Sequence, residues 1–355
     1  MKKPFVDSVL FFCSRFLFQT KKVLKRLLPK RVTNALKVLI RSLRKTFSND
    51  EVVLPRYQHM SWASSRFSVG RPDDDGRAEI YWDGGHIYTT ESLKRIHNSE
   101  SGDCFLIGTG PSINDLDFSL LEKKACFGVN GAVAKFSGLN FDPKYYAIST
   151  LDFFVNRFDM VEEVVRKGIP CFFPFWGISR ICEEDTKLFE GSRIFLSDSI
   201  SQRFNIPKMS DTEFDAMAES DADFVLHGKL RGLNDKVGFS RDLLKGYFHG
   251  ENIIYTALQI ARYLGYRRFF ILGMDLNYSG PSPRFYEKGG DSRPTWVDQS
   301  FDRSIVPCFE IVRELIRRGE MEVYNLSLQS RLPDDIIPKM SFEEAIAYSD
   351  ADGTG

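Results

Sequence analysis

The sequence is short of histidine and has no ordered pattern of cysteines. Its 355 residues hold five histidines and six cysteines, and no histidine follows His249. Cys13, Cys104, Cys126, Cys171, Cys182 and Cys308 show no Cys-x-x-Cys or His-x-Cys spacing. Most lie in apolar runs, where cysteine acts as a small hydrophobe. This speaks against a zinc site or a disulfide framework and for a reducing compartment. No run of 18 uncharged apolar residues occurs, which excludes a spanning helix, and an Ala-x-Ala-like cleavage site is missing too. No Asp-x-Asp pair sits at a strand end: Asp115-x-Asp117 reads as a helix entry, and Asp221-x-Asp223 falls in an aperiodic stretch. Net charge is also absent, with 48 bases against 48 acids.

That balance hides an asymmetry. Through Ser48 there are 13 Lys/Arg and one acid, Asp7, so this head carries +12 and the remaining body −12. Leu36, Leu39, Ile40, Leu43 and Phe47 fall on one helical face, with Lys37, Arg41, Arg44 and Lys45 on the other. Two amphipathic helices, broken near Pro29, are expected over 1–48, lying in the plane of an anionic membrane surface. The alternative is an arm packed on the body or on a second subunit, which leaves a homo-oligomer open. Nucleic acid is not expected as a partner, because the bases are confined to the arm and the body is acidic.

The body is organised around Cys104-Phe-Leu-Ile-Gly-Thr-Gly-Pro-Ser-Ile113. A buried strand runs into a glycine turn, whose outward N–H groups would suit phosphate or carboxylate; a plain structural turn is the competing reading. Further strand-like runs are Ala125–Asn130, Tyr145–Thr150, Cys171–Phe175, Arg193–Leu196, Phe269–Gly273 and Glu322–Asn325, with helical patterns clearest at Asn252–Leu264 and Ile305–Arg318. This alternation predicts an α/β domain over 103–348 with a mainly parallel sheet. Ligands would bind at the strands' carboxyl ends. Residues 49–102 read as a linker and prelude, with His86 and His97 as ordinary surface histidines. The aperiodic, glycine-bearing stretch 198–250 reads as a lid-like insertion. A helix starts at Ser341, and 349–355 read as a disordered tail.

The order of motifs resembles the bacterial sialyltransferases of glycosyltransferase family 42. Ile107-Gly-Thr-Gly-Pro-Ser-Ile113 stands where that family has Gly-Asn-Gly-Pro-Ser-Leu, followed by Asp115-Leu-Asp-Phe-Ser-Leu, Gly128-Val-Asn130 and Ser149-Thr-Leu-Asp-Phe-Phe154. Ala257 to Leu276 and Tyr324-Asn-Leu-Ser-Leu-Gln-Ser330 extend the likeness over about Asp103–Ser330. The pattern is shared with a wider superfamily that includes hydroxymethylpterin diphosphokinase-like proteins and flagellin-modifying accessory factors. The resemblance implies a Rossmann-like sheet with helices on both faces.

It also implies a site. Gly108, Thr109, Gly110, Pro111 and Ser112 would face the cytidine monophosphate part of a donor, with Asn130 and Ser149 at nucleotide-contacting positions. Asp275 would be a ligand or a brace for the loop, and Tyr278 and Tyr286 would hold the departing phosphate. Thr109 and Ser149 each replace a family asparagine. The family's general-base histidine is missing; Asp298, given a suitable pKa by burial, or else His249, would take its place.

The implied activity is metal-independent, inverting transfer of a sialic acid- or Kdo-like sugar from a CMP donor to a membrane glycan or lipopolysaccharide. CMP is then a product of the donor substrate, no cofactor is needed, and the enzyme is cytoplasmic, resting on the inner membrane through 1–48. Two other readings stand beside it: a pterin-type diphosphokinase using ATP and magnesium, and a non-catalytic envelope scaffold.

Overall fold

A computed structural model describes residues 58–226, 237–277, 284–287 and 297–352. The N-terminal arm and Tyr278 lie outside the described residues. Twelve strands are described in three sheets. β1 (Phe67–Val69), β2 (Glu79–Trp82) and β3 (Gly85–Thr89) form an antiparallel sheet. β4 (Asp103–Ile107), β5 (Cys126–Val129), β6 (Tyr145–Ala147), β7 (Cys171–Phe173) and β8 (Ile194–Leu196) enter the main sheet in sequence. β9 (Phe224–Leu226) pairs antiparallel with β10 (Gly238–Ser240). β11 (Arg268–Leu272) and β12 (Glu322–Asn325) complete the main sheet on the far side of β4.

The main sheet has seven parallel strands in the order β12-β11-β4-β5-β6-β7-β8. These are the seven strand-like runs of the sequence. Six of the strands are covered on both faces and read as apolar runs rather than alternating, with Asp103 and Arg268 only at the entries of β4 and β11, whereas the edge strand β12 leaves Glu322 exposed. Cys104, Leu106, Phe269 and Ile271 belong to one core, with Tyr255 and Ile260 of the helix Ile253–Leu264 and Phe309 and Val312 of the helix Val306–Arg317. Phe105, Ile107, Phe270 and Leu272 belong to the other, with Val161 and Val164 of the helix Phe158–Arg166 and Phe342 of the C-terminal helix Phe342–Asp352. The chain first winds outward from β4 to β8, then returns to add β11 and β12 on β4's other side. The switch of direction therefore falls between β4 and β11, where ligands bind in open α/β sheets.

Three expectations change. Residues 58–102 are more than a linker: Phe67 and Ile80 are fully buried, and Tyr88 stacks on Phe189. The insertion contains the helix Asp211–Ser220, opened by a reciprocal Ser210–Glu213 capping box. That Ser-x-x-Glu signal was legible in the sequence. The C-terminal helix runs to Asp352, so the part of the tail from Ser349 to Asp352 is ordered; Ser341 and Glu344 cap its start. The five described cysteines are buried and unbridged.

The insertion's β9/β10 pair sits on the Ile253–Leu264 helix through Gln259. This fully buried side chain accepts from the Ser240 and Phe248 amides, each at 3.0 Å, and donates to the carbonyls of Phe248 and Tyr255. Swinging the whole insertion as a lid would break these bonds. Lys245 pairs with both Asp221 and Asp223, which binds that acidic pair into the same structure.

Candidate functional site

The loops leaving β4 and β11 cross in close contact. Gly108 N donates to Leu272 O at 2.8 Å and Gly110 N to Gly273 O at 2.9 Å. A Cβ on Gly108 would lie 2.7 Å from Gly273 O, and one on Gly110 2.6 Å from the Asp275 carboxylate. Gly273 itself has φ +68°, a left-handed angle that favours glycine. The glycines thus let one strand end pass another.

The N–H groups expected to face outward from Gly108, Gly110 and Ser112 are instead paired internally. Ser112 N donates to Asp275 Oδ2 at 2.9 Å, and Ser112 Oγ donates to Oδ1 of the same carboxylate. Asp275 is the brace of the loop. Behind it stands Ser327, a position not singled out in the sequence: its hydroxyl lies 2.9 Å from Ser112 Oγ and accepts from Met274 N at 3.0 Å.

Other strand ends converge here. Asn130 follows β5 with φ +47°, an angle that asparagine tolerates better than most residues. Tyr146 fixes this turn: its hydroxyl donates to Asn130 O at 2.5 Å and accepts from Val133 N at 2.8 Å. Among the described residues Asn130 Oδ1 is buried with no hydrogen-bond partner. Tyr286 lies against Gly131, where a Cβ would stand 2.2 Å from its ring. Its neighbour Phe285 donates its amide to Thr109 O at 3.0 Å. Arg157, which the sequence reading missed, places its guanidinium 5.0 Å from the Tyr286 ring centroid. The signal available was a lone base at the junction of two helices, Leu151–Asn156 and Phe158–Arg166.

Loops after β4, β5, β6 and β11 therefore meet, carrying Thr109, Asn130, Arg157 and Tyr286. Ser149 also follows β6 but is buried. Close to it, Tyr247 and Asp198 form a second polar group. Burial pushes the Asp198 carboxyl up to about 7, although the Phe175 amide and Arg203 pull the other way.

The two candidate bases sit apart. Asp298 is on the short helix Val297–Ser300, its side chain 62% exposed and 2.9 Å from Arg331 Nη1. The burial expected to suit it as a base is not there. Arg331 connects it to the brace, since Arg331 N donates to Asp275 O at 2.9 Å, and the guanidinium stacks 3.8 Å over Phe301. Phe301 opens a π-helical turn: Val306 N reaches back to Phe301 O, and Pro307 has no N–H to continue an α pattern. His249 is half-buried before the Ile253–Leu264 helix, where its Nδ1 accepts from Glu251 N at 3.2 Å. That helix precedes a parallel strand, so its N-terminus lies at the carboxyl edge of the sheet. Among the described residues no group of three or more His, Cys, Asp or Glu side chains is arranged to hold a metal ion. No described helix is long and apolar enough to cross a membrane.

The family model described as "3-deoxy-D-manno-octulosonic acid transferase WaaZ" matches residues 86–343. The chain belongs to this family. The chain is similar to a "Probable 3-deoxy-manno-octulosonic acid transferase" of Salmonella typhimurium, 25% identical over 73% of this chain and 94% of that protein. A protein of the same description from Escherichia coli is 24% identical over 73% of this chain and 89% of its own length. Two solved structures align more distantly. The MAf glycosyltransferase from Magnetospirillum magneticum gives a TM-score of 0.38 at 13% identity, over 83% of this chain but 40% of its own. The sialyltransferase CST-II, in complex with a trisaccharide acceptor and CMP, gives 0.34 at 12%, over 66% of this chain and 84% of its own. Membership of the WaaZ family makes the chain a glycosyltransferase of the Kdo-transferase kind.

Proposed function

We propose that this WaaZ-family chain transfers an acidic 3-deoxy sugar of the Kdo type from a CMP donor to lipopolysaccharide or its lipid-borne precursor, with inversion and without a metal. The observation that carries this is the meeting of Thr109, Asn130 and Tyr286 at the sheet's switch point, within the span matched by the family. The nucleotide would lie across the β4 and β5 ends, against Gly108–Ser112 and Asn130, with Ser149 lining the floor. Tyr286 and Tyr278 would donate to the phosphate as charge develops on its bridging oxygen; preorganised donors of this sort lower the barrier to departure of an anion. Asp298 would remove the acceptor hydroxyl's proton, with His249 the other candidate. The sugar would pass through an oxocarbenium-like state and be attacked on the face opposite CMP.

The basic head over 1–48 would keep the enzyme at the cytoplasmic face of the inner membrane, raising its effective concentration at a lipid-linked acceptor. The test is incubation of the full chain with CMP-Kdo, CMP-sialic acid or ATP, with and without EDTA. CMP release that requires acceptor and persists in EDTA supports the proposal. Metal-dependent AMP formation points to diphosphokinase chemistry instead, and inertness toward all three donors points to a scaffold.

A further inference from the structure

The glycine loop's paired amides leave a charge unanswered. Gly108, Gly110 and Ser112 all donate inside the protein, and the group bracing the loop is itself a carboxylate, Asp275. A CMP-activated acidic sugar brings both a phosphate and a carboxylate. Such an anion needs a cation, and among the described residues three arginines stand in this part of the rim: Arg157, Arg331 and Arg284, the last paired with Glu287 at 2.6 Å. Arg331 is committed, 2.9 Å from Asp298 and stacked on Phe301.

Arg157 is held more loosely. Its Nε and Nη2 lie 3.4 and 3.5 Å from the oxygens of Asp159, at the long limit of a hydrogen bond, and the Asp159 side chain is 68% exposed. Its main chain is fixed between two helices, with its amide bonded to Phe153 O, while its guanidinium lies over Tyr286. Tyr286 in turn packs on Gly131, the residue after Asn130, whose buried Oδ1 has no partner among the described residues. Stacking on an aromatic ring keeps a guanidinium extended with its edge N–H groups available, and that edge matches a planar carboxylate or two phosphate oxygens.

We infer that Arg157, set over Tyr286 beside Asn130, is the specificity residue that receives the negative charge of the donor. The inference rests on the donor-transfer reading above. The anion is either the nucleotide phosphate or the sugar carboxylate, and binding separates the two. Calorimetry on the full chain would compare CMP with cytidine, and kinetics would use CMP-Kdo, for the parent protein, Arg157→Gln and Arg157→Lys.

If the phosphate is bound, Arg157→Gln weakens CMP about tenfold or more and leaves cytidine unchanged. If the carboxylate is bound, CMP and cytidine are unchanged while KM for CMP-Kdo rises by a similar factor. Arg157→Lys recovers part of either loss, because charge is kept and the fork is lost. Equal CMP, cytidine and CMP-Kdo behaviour in the parent and Arg157→Gln overturns the inference, as does a parallel loss of CMP and cytidine affinity with a lower melting temperature, which marks a structural role. A separate arm uses inorganic pyrophosphate and reads thermal stabilisation. Arg157-dependent stabilisation in a chain that ignores CMP sinks the donor reading and keeps the anion site; no Arg157-dependent response to any anion removes the site.

Discussion

Gly110→Ala tests the crossing of the two loops by the sign of its effect. Gly110 has φ −66° and ψ 152°, angles that alanine adopts without strain. In open space the substitution would therefore stabilise the fold by about 0.4–1 kcal/mol, through lower entropy of the unfolded chain. The structure predicts the opposite. The new Cβ would meet Asp275 Cγ and Oδ2 at 2.6 Å and Gly273 O at 2.8 Å, where ordinary contact starts at 3.4 Å, so something must give by about 0.8 Å. Overpacking of this kind costs about 1–3 kcal/mol. Stretching the Gly110 N to Gly273 O bond adds about 1 kcal/mol. Net destabilisation of about 1–4 kcal/mol is expected after the entropic gain. Urea unfolding followed by tryptophan fluorescence would measure it. Gly85→Ala serves as a control, because its Cβ meets only Trp82 O at 3.6 Å. Adding Asp275→Ala removes the nearest clashing atoms, so the double variant should be less destabilised than the sum of the singles, by about 0.5–3 kcal/mol. A stabilised Gly110→Ala, or strict additivity with Asp275→Ala, refutes the crossing.

Three further outcomes are expected. Between about pH 4, the ordinary carboxyl value, and about 7, folded Asp198 keeps a proton that the unfolded chain has lost, so its burial makes stability fall as pH rises through that window, with a ceiling on the order of 4 kcal/mol. Asp198→Asn should flatten that part of the profile in urea titrations at several pH values; an unchanged slope assigns the dependence elsewhere. Asp298→Asn should lower turnover about 100-fold and leave CMP affinity intact if Asp298 is the base, whereas a large loss confined to His249→Gln transfers the role. Deleting residues 1–48 should move the protein from the membrane pellet to the supernatant, and unchanged partition disposes of the anchor.

The fold was readable wherever burial alone dictates the pattern. Six of the seven strands of the parallel sheet announce themselves as short apolar runs because both faces are covered, the edge strand β12 being more polar, and Asn252 and Gly265 mark the ends of the helix Ile253–Leu264. The three-stranded sheet at 67–89 was readable only in part: Ile80 to Gly85 reads as a strand ending in a turn, as in β2, while β1 and β3 give no such signal because exposed positions interrupt their burial. In the candidate site, Asn130 and Tyr286 were legible from the order of motifs. Arg157 and Ser327 were not, since each matters only through a residue distant in sequence: Tyr286 for one, Ser112 and Met274 for the other. Asp298 shows the limit most plainly. Sequence position near an expected base says nothing of burial, and its environment is set by Arg331, which lies on a different loop.

The glycine pair invites a phosphate, yet Gly108 and Gly110 use their amides to bind β4's exit to β11's. With the Gly108, Gly110 and Ser112 amides engaged inside the protein, recognition of a ligand at this rim would fall mainly to side chains from the flanking strand ends. Side chains tolerate substitution in a way that a backbone cradle does not. That freedom would make Thr109 and Ser149, which stand in place of two asparagines of the sialyltransferase pattern, compatible with an intact site: neither side chain takes part in the crossing, which depends on Gly108, Gly110, Gly273 and Asp275. The crossing fixes the β4 and β11 exits against each other, and on the proposed reading the choice of donor would rest with the groups around it, chiefly Asn130, Arg157 and Tyr286.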